Sequence, residues 1–103
     1  NMPQEQIQNK AGTTVRAVSG EPKKHRVIVL NDDFTTFEFV IMVMMTVFMK
    51  TLQEAEEIAE TTHVNQKATV GTYALDIARS KVAKAVNMAR AEGFPLRFDI
   101  QAE

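Results

Sequence analysis

The spacing of apolar residues divides the chain into a polar N-terminal segment and a region of alternating strand and helix patterns. Residues 1–24 contain only scattered apolar positions without a sustained period, and a Ser-Gly-Glu-Pro sequence interrupts them. Such a segment cannot bury enough apolar surface to offset the entropy that it would lose on ordering. We therefore predict a flexible N-terminal tail over residues 1–24 and a folded domain over residues 25–103.

Three short segments have the composition of β-strands. Residues 25–30, HRVIVL, are rich in β-branched residues and end at Asn-Asp-Asp, a strand-breaking sequence. Residues 67–73, KATVGTY, form the second predicted strand, in which Gly71 indicates a bulge or a close approach of backbone. The third strand lies near the C-terminus, where apolar residues alternate with polar ones at Leu96, Phe98 and Ile100.

Helical patterns fill the intervals between these strands. The first predicted helix runs to about Met49 and is apolar on nearly every side, and the third runs from about Ala74 to a terminating Gly93. The resulting order β-α-α-β-α-β predicts an α+β domain, with one three-stranded sheet packed against three helices. Capping boxes of the form Thr-x-x-Glu begin the first two helices, at Thr35 with Glu38 and at Thr51 with Glu54.

Composition excludes several classes of protein. The chain of 103 residues has the length of one domain, and without Cys it can form neither disulfides nor zinc-thiolate sites. A net charge of −1 gives no general attraction to nucleic acid or to an anionic membrane. The densest apolar stretch is shorter than the ~20 residues of a membrane-spanning helix, and no basic segment followed by an apolar run predicts a secretory signal.

The candidate chemistry lies in the loop Asn31-Asp32-Asp33, in Thr35 and in His63. The loop joins a strand to a helix N-terminus, where α/β domains expose functional groups, but it is equally typical of a simple strand end whose acidic residues favour the helix dipole. His63 is typical of a helix C-terminus. Asp32, Asp33 and His63 have the residue types of a metal-binding facial triad if they converge in space. With no Gly-rich phosphate loop and no Ser beside a predicted base, the sequence does not indicate an enzyme.

The string VLNDDFT, followed by Glu38-Phe39-Val40, His63 and the Lys67-Ala68 strand entry, resembles the bacterial Clp protease adaptor family ClpS. The resemblance covers residues 25–103. It implies an adaptor that binds bulky apolar N-terminal residues of substrate proteins (Leu, Phe, Tyr, Trp) and delivers these substrates to the AAA+ unfoldase of the Clp protease. The resemblance implies that the protein is not an enzyme and needs no cofactor or metal. It also implies a location in the cytoplasm and no binding to nucleic acid or membrane. A small RNA-binding α/β domain is the alternative, which would need a basic stripe with exposed aromatic residues.

The resemblance also assigns roles to individual residues. Asn31, Asp32 and His63 would bind the α-ammonium group of the substrate. Asp76 and Lys81 would contact the N-terminal domain of an unfoldase of ClpA or ClpC type, although both also suit an ordinary solvated helix face. The apolar pocket for the substrate side chain would be formed by Val29, Asp33, Thr35, Phe37, Val40, Ala59, Thr62 and Leu96.

Besides Asp76, which is shorter than the Glu usual at its position, four positions depart from the family's usual residues. Phe37 and Ala59 stand where Met is usual, and Thr62 stands where an aliphatic residue is usual. These changes alter the shape of the predicted pocket, so the ranking of Leu, Phe, Tyr and Trp does not follow from the resemblance. Gln66 replaces a usual Gly beside Lys67.

Overall fold

In a computed structural model, whose described residues are 23–103, the predicted strands and helices form in the predicted order. The α+β class and the three-stranded sheet with three helices are confirmed. The strand β1 begins one residue earlier than predicted, and the predicted tail lies, except at its C-terminal end, outside the described residues. The elements are β1 (Lys24–Leu30), α1 (Phe37–Thr46), α2 (Leu52–Asn65), β2 (Lys67–Ala74), α3 (Leu75–Ala91) and β3 (Arg97–Ala102).

The first strand of the chain is the central strand of the sheet. The strand order is β2-β1-β3, and both neighbours run antiparallel to β1. Val27, Ile28 and Val29 in the middle of β1 are all buried. A short continuous apolar run suits a central strand, because both edges of such a strand are paired and its faces are covered.

A β-bulge interrupts the pairing of β1 with β2. Val27 pairs with Gly71 and Ile28 pairs with Thr69, so Val70 has no opposite residue on β1. A Cβ atom at Gly71 would lie 2.9 Å from the hydroxyl oxygen of Tyr73. The structure therefore confirms the bulge that Gly71 indicated, and the close neighbour of Gly71 is the Tyr73 side chain rather than another backbone segment.

The core lies between the sheet and the helices and includes residues from every helix. Small residues of α3 (Ala78, Ala85 and Ala89) are fully buried, which lets this helix approach the sheet closely. The rings of Phe39 and Phe94 meet edge to face at 5.1 Å. Phe39 is buried in this core, whereas Phe37, two residues earlier, is 42% exposed.

The capping box predicted at Thr35 and Glu38 is wrong. The helix α1 begins at Phe37, and its N-cap is Thr36, whose side chain accepts a hydrogen bond of 3.1 Å from the Phe39 N–H. The Thr35 hydroxyl instead donates to the Asp32 carboxylate. A charged acceptor forms the stronger hydrogen bond, so Thr35 belongs to the loop and the helix begins one residue later than predicted.

The other helix ends follow the sequence signals more closely. Both hydrogen bonds of the Thr51–Glu54 capping box are present at the start of α2. Gly93 adopts a φ of 78°, and the bonds from Gly93 and Phe94 to carbonyls of the last turn of α3 complete a Schellman motif. The helix α1 ends at Thr46 rather than at Met49, which has a φ of 58°. Within residues 23–103, no helix has the length and apolar character needed to cross a membrane.

Candidate functional site

The loop between β1 and α1 is built around the side chain of Asp32. One carboxylate oxygen of Asp32, Oδ1, accepts hydrogen bonds from the backbone N–H groups of Phe34 (2.8 Å) and Thr35 (2.6 Å). The other oxygen, Oδ2, accepts a bond of 2.7 Å from the Thr35 hydroxyl. A carboxylate has about four acceptor positions, so these three bonds fix the group in place and leave capacity for one external donor.

The same bonds keep the Asp32 carboxyl ionised. Burial raises the pKa of this group, but the hydrogen bonds from Thr35 and Phe34 and the positive charge of Arg97 outweigh burial, so the pKa lies below its ordinary value. The loop therefore holds a fixed negative charge at a partly buried position. Such a charge is suited to binding a cationic group.

The helix α2 faces this loop with Ala59, Thr62 and His63, whose spacing of three and four residues places them on one side of the helix. Ala59 and Thr62 are buried, whereas His63 is exposed. The Thr62 hydroxyl donates to the carbonyl of Ile58 at 2.7 Å. Because its polar atom is satisfied within the helix, Thr62 can serve as an apolar wall residue of nearly the shape of Val.

A cavity of about 490 Å³ lies between the loop, α1 and α2. This volume falls within the range of small-ligand sites, about 300–1,000 Å³. Nine of its ten lining residues were singled out from the sequence. The lining residues are Asn31, Asp32, Asp33, Thr35, Phe37, Val40, Ala59, Glu60, Thr62 and His63.

Two residues assigned to the pocket do not line this cavity. Val29 and Leu96 are 0% and 1% exposed and belong to the hydrophobic core. Val29 lies in the central strand, and Leu96 directly precedes β3. Both are enclosed by the helices that pack on the sheet, so they contribute to the packing of the core and not to the surface of the cavity.

Asp76 and Lys81, predicted to contact a partner, lie on α3 and are not part of the cavity. Asp76 is exposed in the first turn of the helix. The ammonium group of Lys81 donates to the Val47 carbonyl at 3.0 Å and lies 5.7 Å from the centre of the Tyr73 ring. Lys81 therefore binds an open carbonyl at the end of α1, a structural role that the sequence did not predict.

Sequence reasoning missed two residues at the site. Glu60 lines the cavity beside Ala59, although no role at the site was predicted for it. Gln66 does not line the cavity but forms hydrogen bonds to Asn31 and to His63, which do. Its only sequence signal was the departure from a usual Gly.

The facial-triad hypothesis is not supported by the geometry. Within residues 23–103, no three His, Asp or Glu side chains are placed to hold one metal ion. Another cavity of about 300 Å³, lined by residues such as Lys50, Glu54 and Ile58, contains none of the residues that were singled out as candidate chemistry. The loop–α2 cavity is therefore the candidate site.

Comparison with known proteins identifies the family. Residues 20–99 match the family model described as "ATP-dependent Clp protease adaptor protein ClpS". The chain belongs to the ClpS family. A ClpS of Acetivibrio thermocellus is 45% identical over 83 residues, which cover 81% of this chain and 84% of the relative. A ClpS of Desulforapulum autotrophicum is 36% identical over 97 residues, which cover 94% of this chain and 93% of the relative.

A solved ClpS structure has the same fold. The structure of Agrobacterium tumefaciens ClpS2 bound to L-phenylalaninamide matches with a TM-score of 0.77 and 35% sequence identity, covering 81% of this chain and 100% of that chain. ClpS proteins are adaptors of the Clp protease and not enzymes, so the residues around the cavity are considered as binding groups and no catalytic residue is assigned.

Proposed function

We propose that this ClpS protein binds substrate proteins by a bulky apolar N-terminal residue, one of Leu, Phe, Tyr or Trp, and delivers them to the AAA+ unfoldase of the Clp protease in the cytoplasm. The observation that carries the proposal is a single cavity that combines hydrogen-bond acceptors with apolar walls. A free N-terminus has the complementary chemistry, because its α-ammonium group and first side chain are bonded to one carbon atom.

The acceptors suit an ammonium group. Asn31, Asp32 and His63 line the cavity together, and Asp32 holds its charge through the hydrogen bonds of the loop. An ammonium group donates three hydrogen bonds, and a bond to a charged acceptor contributes about 1.5–3 kcal/mol. An acetylated N-terminus has neither the positive charge nor the three donors, so it would lose this contribution.

The remaining walls suit an apolar side chain. Val40 and Ala59 are buried residues at the cavity surface, and the hydroxyl of Thr62 is turned to its own helix. Phe37 is partly exposed at the same cavity. Burial of a Leu or Phe side chain contributes about 1.5–3 kcal/mol, which is comparable to the ammonium contribution. The two groups together distinguish a bulky N-terminal residue from a small one or from an internal residue.

The ligand of the structural neighbour supports this proposal. L-phenylalaninamide, to which Agrobacterium tumefaciens ClpS2 is bound, carries a free α-amino group and a benzyl side chain on one carbon atom. A Phe at the N-terminus of a polypeptide presents the same two groups. We infer that the cavity of this chain takes ligands of that chemistry.

Peptides that differ only in the first residue test the binding proposal. Peptides beginning with Leu, Phe, Tyr or Trp are expected to bind, and those beginning with Ala or Ser to bind at least ~20-fold more weakly, because a lost bulky side chain costs about 2 kcal/mol. Acetylation of the Leu peptide is expected to abolish binding. Equal affinity for all of these peptides would overturn the proposal.

We propose that delivery requires contact between α3 and the N-terminal domain of a ClpA or ClpC type unfoldase. Asp76 is the better test residue, because Lys81 also stabilises the end of α1. The substitution Asp76→Lys reverses an exposed charge at a position that does not line the loop–α2 cavity. It is expected to leave peptide affinity unchanged and to slow degradation by the reconstituted protease, whereas unchanged degradation would remove Asp76 from the contact.

A further inference from the structure

Gln66 connects the two sides of the candidate site. It is the C-cap of α2, and its backbone adopts a left-handed conformation with a φ of 72°. Gly adopts this conformation freely and Asn tolerates it, but it is unfavourable for other residues. At this position Gln66 contacts His63, in the last turn of α2, and Asn31, the residue that follows β1.

Three hydrogen bonds join Gln66 to these residues. The Gln66 side-chain Nε2 donates to the main-chain carbonyl of His63 at 3.2 Å. The Asn31 side-chain Nδ2 donates to Gln66 Oε1 at 3.3 Å, and the Asn31 backbone N–H donates to the Gln66 carbonyl at 2.9 Å. Gln66 thus binds both the backbone and the side chain of Asn31.

The direction of these bonds fixes how the Asn31 amide is turned. The His63 carbonyl can only accept, so the Gln66 amide must direct its NH₂ group to His63 and its oxygen to Asn31. The oxygen of Gln66 in turn requires a donor, so Asn31 must direct its NH₂ group to Gln66. The Asn31 oxygen, Oδ1, is then the end of the amide that Gln66 does not occupy.

We propose that Gln66 is a positioning residue for the substrate α-ammonium group, which it serves by keeping Asn31 Oδ1 available as the acceptor. The opposite orientation of the Asn31 amide would present two N–H donors to a cation and repel it. This inference rests on the proposed function, because it assigns the acceptor only if an N-terminal ammonium group binds in the cavity.

A role as a helix cap alone predicts a different result from a role in positioning. If Gln66 served only the left-handed turn, Gly would replace it without loss, because Gly adopts this conformation freely. If Gln66 orients Asn31, Gln66→Gly is expected to weaken binding of a Leu-initiated peptide by about three- to tenfold, the effect of one hydrogen bond. The loss should occur without a fall in the thermal unfolding midpoint.

Two further variants separate the effects. Met49→Gly is the matched control, since Met49 also has a positive φ of 58°, is exposed, and does not line the cavity. It makes the same backbone change and is expected to keep peptide affinity within about twofold. Gln66→Asn tolerates the left-handed conformation but has a side chain one carbon shorter, so it cannot reach both His63 and Asn31 and is expected to weaken binding.

A double-mutant cycle decides whether Gln66 acts through Asn31. In the Asn31→Ala background, Gln66→Gly is expected to change affinity by less than about twofold, because the group that it positions is gone. An equal loss in both backgrounds, or parent-like affinity of Gln66→Gly, would overturn the inference.

The parent protein is first compared on free and acetylated Leu peptides. If it does not distinguish them, the proposed function fails and this inference falls with it; if it does, a negative cycle overturns only the role of Gln66.

Discussion

At the scale of single residues, Asp32 has two roles that the sequence could not separate. Its carboxylate accepts three hydrogen bonds within the loop, from Phe34 and Thr35, and it also lines the cavity. Removing the whole side chain therefore disturbs the loop as well as any ligand contact. A substitution that keeps the shape of the side chain but not its charge distinguishes these roles.

Two substitutions of Asp32 separate these roles. Asp32→Ala is expected to weaken binding of a Leu-initiated peptide by about 1.5–3 kcal/mol, because the ammonium group loses a charged acceptor. Asp32→Asn keeps an oxygen for the Phe34 and Thr35 N–H groups and is expected to weaken binding less. Fluorescence anisotropy measures both affinities. Asp99→Asn, which removes an exposed charge outside the cavity, serves as the control. If Asp32→Ala binds the peptide as tightly as the parent does, Asp32 is not part of the site.

Asp32 also predicts a pH dependence of stability. Burial raises the pKa of its carboxyl, but the hydrogen bonds and the charge of Arg97 together lower the pKa by more than burial raises it. The folded-state pKa therefore lies below the ordinary value of 3.8. A lowered pKa means that the fold favours the ionised form. The stabilisation is therefore present above the unfolded-state pKa and is lost as the pH falls through the folded-state pKa.

Urea unfolding of the parent and of Asp32→Asn at several pH values tests this dependence. The parent is expected to be the more stable protein near neutral pH, and its advantage should shrink as the pH is lowered from about 5 to about 3. The neutral side chain of the variant cannot titrate. An advantage that stays constant over this range would show that the charge of Asp32 does not stabilise the fold.

At the scale of secondary-structure elements, the cavity lies between α1, α2 and the β1–α1 loop, and each helix contributes a side chain that departs from the family's usual residue. Phe37, the first residue of α1, is 42% exposed, and Ala59 on α2 is 3% exposed. Phe37 is a rigid ring at the cavity surface, and Ala59 is a small buried residue. A change of side chain at either position is therefore expected to change the shape of the cavity.

The second set of binding measurements concerns these two positions. Phe37→Met combined with Ala59→Met replaces a rigid wall by a flexible one and fills space at the buried surface. The relative affinities for Leu, Phe, Tyr and Trp peptides are expected to change more than their mean affinity does. If all four affinities change together, the two residues act on stability or on general access, and the assignment of the pocket wall is wrong. Leu52→Met, an exposed apolar position of α2 outside the cavity, is the control.

At the scale of the whole molecule, binding and delivery are expected to depend on different parts of the chain. The cavity is formed by residues 31–63, and the proposed unfoldase contact lies on α3. The predicted tail, residues 1–24, is the segment whose composition cannot support a core. At ~3.3–3.6 Å per residue it could extend up to ~80 Å, enough to reach an unfoldase from a docked domain.

Deletion of residues 1–20 tests this division. Peptide affinity is expected to remain within about 0.5 kcal/mol of the parent, because the change is remote from the cavity. Degradation of a Leu-initiated substrate by the reconstituted protease is expected to be lost. Degradation at the parent rate would mean that the tail is a passive extension, and loss of peptide binding would mean that the folded domain begins earlier than predicted.

The sequence by itself predicted the elements and most of the residues that line the cavity. Apolar periodicity and the Thr51–Glu54 capping box depend on neighbouring residues only, so they predicted the order of strands and helices and the start of α2. Six of the residues that line the cavity lie within the short segment 31–40, so the sequence alone places them near one another. His63 was a candidate from its residue type alone, and the resemblance to ClpS then supplied Ala59 and Thr62 on the side of α2 that faces this segment.

Only the tertiary structure decided which side chains reach the cavity and how they are held. Val29 and Leu96 have the apolar character of pocket residues, but packing against the helices encloses them in the core. Thr35 has the spacing of a helix cap, but the nearby Asp32 carboxylate takes its hydroxyl and leaves the cap to Thr36. Gln66 accepts a hydrogen bond from the Asn31 side chain, 35 positions away in the sequence. Burial and hydrogen bonding between distant segments are properties of the folded chain, and no local pattern contains them. The choice between Thr35 and Thr36 is local, but two adjacent Thr residues offer the same cap and only the geometry of the loop decides between them.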